Sequence, residues 1–142
     1  MSTTALIRAL FFVAALYDGV LGGVFLVAPT WPFHLFGVAE PNHRAYVQFP
    51  AALLLIFALM FLEVARDPSR SRHLIPYGIL LKVAYCGLVF GYWFTAGIPG
   101  MWKGFAIADL VMGLLFAWAF LALAPGPASG SKTGQNPTPL RG

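Results

Sequence analysis

Four stretches of the chain contain almost no charged residues, and polar or helix-breaking residues separate them. They cover about residues 9–27, 45–62, 74–96 and 101–124. Each is close to the roughly 20 apolar residues that a helix needs to cross the hydrocarbon layer of a bilayer. Within a membrane, buried helices satisfy their own backbone groups. The pattern therefore predicts an all-α fold, an integral membrane four-helix bundle in up-down-up-down order.

The residues between and after the four segments also indicate local structure. Residues 31–43 mix aromatic residues, prolines and polar groups, as an interfacial stretch does. Pro50 fits the first turn of the second segment, where no N–H donor is needed, whereas a deeper position would kink the helix. The charged turn over residues 63–73 is short, so segments two and three are expected to be antiparallel neighbours. Residues 125–142 have no apolar face, which predicts a disordered tail.

Lysine and arginine residues near the segments predict the orientation, because positive charge collects on the cytoplasmic side. One side holds Arg8, Arg66, Arg70, Arg72, Lys132 and Arg141, and the other holds Arg44 and Lys103. Both termini and the tail are therefore expected to be cytoplasmic, in a bacterial inner membrane. Trp31, Trp93 and Trp102 are expected at the outer interface and Trp118 near the inner one.

Composition narrows the class of protein further. Hydrophobic residues make up 59% of the 142 residues and charged residues only 10%, whereas about a quarter of residues are charged in soluble domains. Residues 1–124 are expected to form one membrane domain in the lipid bilayer. The net charge of +4 comes mostly from residues that flank the segments, so we do not expect nucleic-acid binding. The single cysteine, Cys86, is expected to be a packed thiol.

Three charged residues lie inside the apolar segments: Asp18, Lys82 and Asp109. Lys82 and Asp18 each lie about 15 Å along a helix from a flanking arginine, which places both near the middle of the bilayer. Asp109 is expected slightly nearer the outer side. A lone cation at that depth costs about 2.5 to 3.5 kcal/mol on insertion scales. We therefore expect Lys82 to meet one or both aspartates, with snorkelling toward the cytoplasmic side as the alternative.

Small and polar neighbours accompany these charges. A glycine lies one helical turn away from each charged residue, as Gly22 for Asp18, Gly78 for Lys82 and Gly113 for Asp109. Small residues allow helices to approach closely, so the three faces are expected to converge on the bundle interior. The hydroxyls of Tyr17 and Tyr85 are candidates to hydrogen-bond with those groups of the charged side chains that the ion pairs leave without a partner. The group is interpreted either as a structural ion pair or as a site that binds a small ligand or relays protons.

The remaining polar residues lie outside the segments. The residues at the start of segment two, His43, Arg44, Tyr46 and Gln48, are candidates for the outer vestibule of such a site. Arg66, Arg70 and Arg72 are candidates for contact with anionic lipid head groups. No group of histidine, cysteine and acidic residues has metal-ligand spacing, and no haem or other cofactor motif is present. We therefore predict neither a metal nor a cofactor.

A resemblance to a family emerges from several short stretches. They are Tyr17-Asp18-Gly19, the turn Ala65-Arg66-Asp67-Pro68-Ser69-Arg70, Lys82 with Tyr85, and Ala108-Asp109-Leu110. Over residues 9–122 the chain resembles the small four-helix bacterial membrane proteins called DoxX-like. The resemblance implies the same four-helix membrane fold and an association with redox-linked membrane complexes.

Three classes of function follow from these observations. The first is a membrane protein with an interior site for a ligand or for protons, and the second is a structural or accessory subunit of a membrane complex. The third is the redox-associated component that the resemblance implies. A membrane-protein partner or a homo-oligomer is compatible with each class. An enzyme is the least favoured class, because no pair of a nucleophile and a base is present.

Overall fold

The computed structural model describes residues 1–124, and the tail predicted for residues 125–142 lies outside them. Five α-helices form the described part: α1 (Thr3–Val27), α2 (Trp31–Phe36), α3 (Ala45–Arg66), α4 (Ile75–Thr95) and α5 (Gly100–Ala122). A 3-10 turn, Arg72–Leu74, leads into α4. Residues 1–124 contain no strand, so the all-α class is confirmed for this part of the chain.

Four of these helices are long and apolar enough to cross a membrane, namely α1, α3, α5 and α4 with its preceding turn. This finding indicates a multi-pass membrane protein. The first helix starts at Thr3, ahead of the predicted hydrophobic segment, and includes Arg8. The side chain of Ser2 caps it, since the backbone N–H of Ala5 donates to Ser2 Oγ at 3.2 Å.

The short helix α2 occupies the connection between α1 and α3, where an interfacial stretch was predicted. Gly37 ends this helix in the left-handed conformation at a φ of 62°, which glycine adopts without steric cost. Phe33 is buried and packs edge-on against Phe25 of α1, with ring centroids 6.2 Å apart. One aromatic residue of the connection therefore belongs to the core.

The prediction that Pro50 lies in the first turn of its helix is wrong. The helix α3 already begins at Ala45, so Pro50 lies inside it. The backbone N–H groups of Val47 and Gln48 donate to the carbonyl of Arg44 and close the first turn, which therefore ends before Pro50. Since proline has no N–H, Pro50 provides no donor for the carbonyl of Tyr46, one turn earlier.

The helices form two closely packed pairs, α1 with α3 and α4 with α5. Gly22 explains the first pair, because a Cβ at this position would lie 2.8 Å from the carbonyl oxygen of Ala51 in α3. Gly113 of α5 faces Lys82 in a similar way, because a Cβ added at Gly113 would lie 3.3 Å from the Cβ of Lys82. In contrast, α3 and α4 have little backbone contact despite the short turn between them. The ring of Phe61 lies between them, against Gly78.

Two apolar clusters fill the interior. The Phe61 cluster joins α1, α3, α4 and α5 around the fully buried rings of Phe11, Phe61 and Phe116. The rings of Phe11 and Phe116 are stacked, and the ring of Phe61 is tilted against both. Ring centroids in this group are 4.6 to 5.9 Å apart. The Phe33 cluster joins Phe25, Phe33, Ala51 and Met101, with Trp102 packed against them. Trp102 was predicted to lie at the outer interface, and in the structure its ring also packs on Phe25 and Phe33.

The charged turn after α3 is held to α5 by Arg72. Its Nε donates to the carbonyl oxygen of Phe120 at 2.9 Å, and its guanidinium lies 3.8 Å from the centroid of the Phe120 ring. Arg72 therefore uses both a guanidinium N–H donor and the flat face of the guanidinium in contacts within the protein. Arg66 and Arg70, in contrast, are exposed and remain candidates for contact with lipid head groups.

Candidate functional site

Lys82 forms ion pairs with both aspartates, as predicted. Its Nζ lies 2.8 and 3.1 Å from the two carboxylate oxygens of Asp18 and 2.9 Å from Oδ1 of Asp109. The exposed fraction of Asp18 is 0%, that of Lys82 is 1% and that of Asp109 is 7%. These three residues are called the charge cluster below. Because Asp18 belongs to α1 and Lys82 to α4, the cluster links the two helix pairs.

The glycines near the charged residues face the interior, as predicted. A Cβ on Gly78 would lie 2.6 Å from a ring carbon of Phe61, and Gly22 and Gly113 have the close contacts described above. The glycines therefore lie at close contacts inside the bundle, near the charged residues. The long side chain of Lys82 spans the remaining distance to α1.

The tyrosine hydroxyls do not complete the charge cluster in the predicted way. Within residues 1–124, the Tyr17 hydroxyl is buried and has no hydrogen-bond partner. The Tyr85 hydroxyl donates to the carbonyl oxygen of Trp102 at 3.4 Å, a long hydrogen bond. Tyr17 presents its ring instead, with the centroid 5.5 Å from Lys82 Nζ. A buried hydroxyl without a partner is costly. The Tyr17 side chain as a whole lies beside an open space.

That space is a cavity of about 510 Å³ that extends from the charge cluster to the connection around α2. Its inner end contains Tyr17, Asp18, Tyr85 and Asp109, and residues of the Phe33 cluster form a wall. At the other end lie residues 38–41 and Tyr46. Cavities of about 300 to 1,000 Å³ with apolar walls and a few polar groups are typical of small-molecule sites.

The charged residues that line the cavity are all acidic. They are Asp18, Asp109 and Glu40, while Lys82 lies behind the aspartates and is not part of the lining. Two aspartates against one lysine leave the ionised cluster with one excess negative charge. Glu40, near the far end, lies 2.7 Å from Nε2 of His34, which is outside the lining.

Asp109 is the member of the cluster with a free oxygen. Its Oδ1 accepts from Lys82, and among the hydrogen bonds of residues 1–124 its Oδ2 accepts none. Asp18, in contrast, engages both oxygens. Asp109 therefore offers the cavity an acceptor that a bound group could use.

The predicted vestibule residues take different places. Tyr46 lines the cavity, whereas His43, Arg44 and Gln48 do not. Gln48 instead donates from Nε2 to the carbonyl oxygen of Leu26 at 3.0 Å, which ties the start of α3 to the end of α1. His43 accepts from the backbone N–H of Ala45 through Nδ1. The vestibule prediction therefore agrees with the structure only for Tyr46.

Four aromatic lining residues were not selected from the sequence: Phe25, Phe33, Trp102 and Phe105. The signal for three of them is helical spacing, since Phe25 lies seven residues after Asp18, while Phe105 and Trp102 lie four and seven residues before Asp109. Residues at those spacings share a helix face. Phe33 has no such signal, because it belongs to a separate short helix.

Cys86 lies beside the cluster as a packed thiol. Its exposed fraction is 7%, and its Sγ donates to the carbonyl oxygen of Ala106 at 3.3 Å. This hydrogen bond connects α4 to α5 close to Asp109. Among residues 1–124, no group of three histidine, cysteine or acidic residues is placed to hold a metal ion.

Comparison of the chain with models of protein families, with curated proteins and with solved structures found no match. The resemblance to DoxX-like proteins therefore stays a prediction from the sequence.

Proposed function

We propose that the four long helices cross a bacterial inner membrane as an up-down-up-down bundle with both termini in the cytoplasm. Large apolar side chains remain exposed on every long helix, for example Leu16, Leu59, Leu80 and Leu114, which are 58 to 67% exposed. A soluble monomer rarely exposes so much apolar surface, whereas lipid covers it at no cost. The excess of lysine and arginine near one set of helix ends supports the orientation.

The protein's proposed function is to bind a small, largely apolar molecule in the cavity above the charge cluster. The observation that carries this proposal is the cavity itself, about 510 Å³ in volume, with apolar walls and the unpartnered Oδ2 of Asp109 at its inner end. A structural ion pair needs no adjoining space of this size. Polar groups that converge in an apolar cavity fix the orientation of a ligand.

Binding is better supported than proton relay, the other function considered for this site. A relay needs a chain of polar groups or water on both sides of the charge cluster. On the side away from the cavity lie the packed rings of Phe11, Phe61 and Phe116, which are fully buried. Phe61 itself is in contact with the cluster, with its ring centroid 5.9 Å from Lys82 Nζ. The cavity therefore opens away from this aromatic layer.

Cysteine accessibility tests whether small molecules enter the cavity. In a Cys86→Ser background, Leu54→Cys places a thiol on the cavity wall, and Val64→Cys places one in the Phe61 cluster. Both positions belong to α3, so the pair is matched. We expect neutral methyl methanethiosulfonate, added to membrane vesicles, to modify the first thiol at least about tenfold faster, because reaction needs access and ionisation of the thiol.

Equal, slow modification at the two positions would show that the cavity does not admit molecules of this size, and the proposed function would then be wrong. Fast modification at both positions would show that the Phe61 cluster is not packed, which would remove the argument against a proton relay.

A further inference from the structure

The chemical groups on the cavity lining indicate the class of ligand, in addition to its size. This inference rests on the proposed function and names the class of molecule that the cavity takes. We propose that the ligand is a lipophilic organic cation, an ammonium group attached to an apolar and preferably aromatic body.

The charges on the cavity lining all have the same sign. Every charged side chain that faces the cavity is a carboxylate, and the only lysine nearby is turned into the charge cluster behind the aspartates. With both aspartates ionised, the cluster carries one uncompensated negative charge. In a site walled by apolar groups, a charge of this kind is strongly disfavoured unless an opposite charge approaches it. A cation bound in the cavity would supply that charge, and an anion would add to the imbalance.

The hydrogen-bonding groups agree with this sign. Asp109 is more than nine-tenths buried, lines the cavity and keeps Oδ2 without a donor among residues 1–124. A protonated amine has only donors, so it could donate to this carboxylate oxygen.

The walls provide the complementary surface. Seven aromatic residues line the cavity: Tyr17, Phe25, Phe33, Tyr46, Tyr85, Trp102 and Phe105. Aromatic faces attract cations through their quadrupole, and aromatic cages with an acidic group are a general solution for recognising ammonium groups. The same faces pack well against an aromatic ligand body. A single set of residues thus accounts for both halves of the proposed ligand.

Protection of the Leu54→Cys thiol tests the charge preference. The probes are benzylammonium, the cation that benzylamine forms at neutral pH, and benzenesulfonate, which are of similar size, share a phenyl ring and differ in the sign of their charge. At equal concentrations, we expect the cation to slow modification by methyl methanethiosulfonate, and the anion to leave its rate unchanged. Effects on the reagent itself are removed by measuring the same rates at Asn42→Cys, an exposed position.

Two carboxylate variants test whether the charge cluster causes the preference for the cation. Asp109→Asn in the Leu54→Cys protein should weaken protection by the cation about tenfold, because it removes the excess charge from the cluster. Glu63→Gln removes the same charge from an exposed position outside the cavity and should change nothing. Should Asp109→Asn fail to fold, the comparison of the two probes in the unmodified cavity still decides the sign.

Equal protection by the two probes, or better protection by benzenesulfonate, would overturn the proposal of a cationic ligand while leaving the proposed binding function intact. A thiol that does not react with the neutral reagent at all would instead contradict the binding function. Unchanged protection in Asp109→Asn would show that the charge cluster is not what selects the cation.

Discussion

At the scale of single residues, the two aspartates hold Lys82 unequally. Asp18 is fully buried and uses both carboxylate oxygens, whereas Asp109 is slightly exposed and uses one. A fully buried charge needs all its hydrogen-bonding capacity satisfied, because no water compensates for a missing partner. Asp18 therefore serves mainly to hold the lysine, while Asp109 retains an acceptor that faces the cavity.

This difference predicts the order of two substitutions. Asp18→Asn should destabilise the protein more than Asp109→Asn, by on the order of 1 kcal/mol, because it disrupts the pair with more hydrogen bonds to a charged group. Denaturant unfolding of the purified proteins in the same detergent measures both values. Equal stabilities, or the reverse order, would mean that the two carboxylates are interchangeable.

The sequence predicted the charge cluster because intramembrane charges have so few alternatives to pairing. Lys82 at mid-membrane, with Asp18 at the same depth, was enough to expect the contact. The hydroxyls of Tyr17 and Tyr85 were placed less well, since helical spacing identifies a shared face but not the direction of a side-chain tip. Glu40 was also missed, because its position depends on the path of the connection between α1 and α3.

At the scale of the helices, glycine determines where they approach. Gly78 of α4 has the ring of Phe61 directly against it, and an added Cβ would lie 2.6 Å from a ring carbon. Gly87 lies further along the same helix and has no atom within 4 Å of an added Cβ. The two positions differ in packing but share a helix, so they form a matched pair.

Gly78→Ala should destabilise the protein by about 1 to 3 kcal/mol, because the fully buried ring of Phe61 has no free space into which it could move. Gly87→Ala should be neutral or slightly stabilising, since alanine favours the helix. Thermal unfolding in detergent gives the comparison. If both variants have the same stability, the helices are not held at the separation described here.

The connection between α1 and α3 shows where sequence patterns give less information about elements. Its prolines and aromatic residues predicted an interfacial stretch, but not that Phe33 would pack against Phe25. A six-residue helix has too few positions for a periodic pattern to identify its buried face. Pro50 was misplaced because it lies five residues after the start of the segment at residue 45, which is already beyond the first helical turn.

At the scale of the whole molecule, hydrophobic segments of span length were sufficient to predict four long helices and the all-α class. The arrangement of those helices in pairs was not predictable in the same way. Each helix is apolar around most of its circumference, so hydropathy does not show which face meets which neighbour. In the structure, the close approach of Gly22 to α3 and the bulk of Phe61 between α3 and α4 determine which helices pair.

The proposed orientation of the bundle predicts opposite accessibility for two exposed positions. In a Cys86→Ser background, Ser69→Cys should react with a membrane-impermeant maleimide only from the cytoplasmic side. Asn42→Cys should react only from the periplasmic side, because it belongs to the connection with fewer positive charges. Labelling intact cells and inverted vesicles distinguishes the sides. Labelling of the Ser69→Cys variant in intact cells would reverse the proposed orientation.

Lys82 and Asp18 join the two helix pairs through a buried ionic contact, which is the central interaction of the bundle. A double-mutant cycle with Lys82→Met and Asp18→Asn tests this directly, using unfolding in detergent. Lys82→Met leaves two buried carboxylates without a cation and should cost about 3 to 5 kcal/mol. Asp18→Asn removes two hydrogen bonds to Lys82 but leaves the lysine paired with Asp109, so it should cost less. The double variant should cost less than the sum, which corresponds to a coupling of about 1 to 3 kcal/mol. Additive losses would contradict the contact, and Lys82 would then not be held by Asp18.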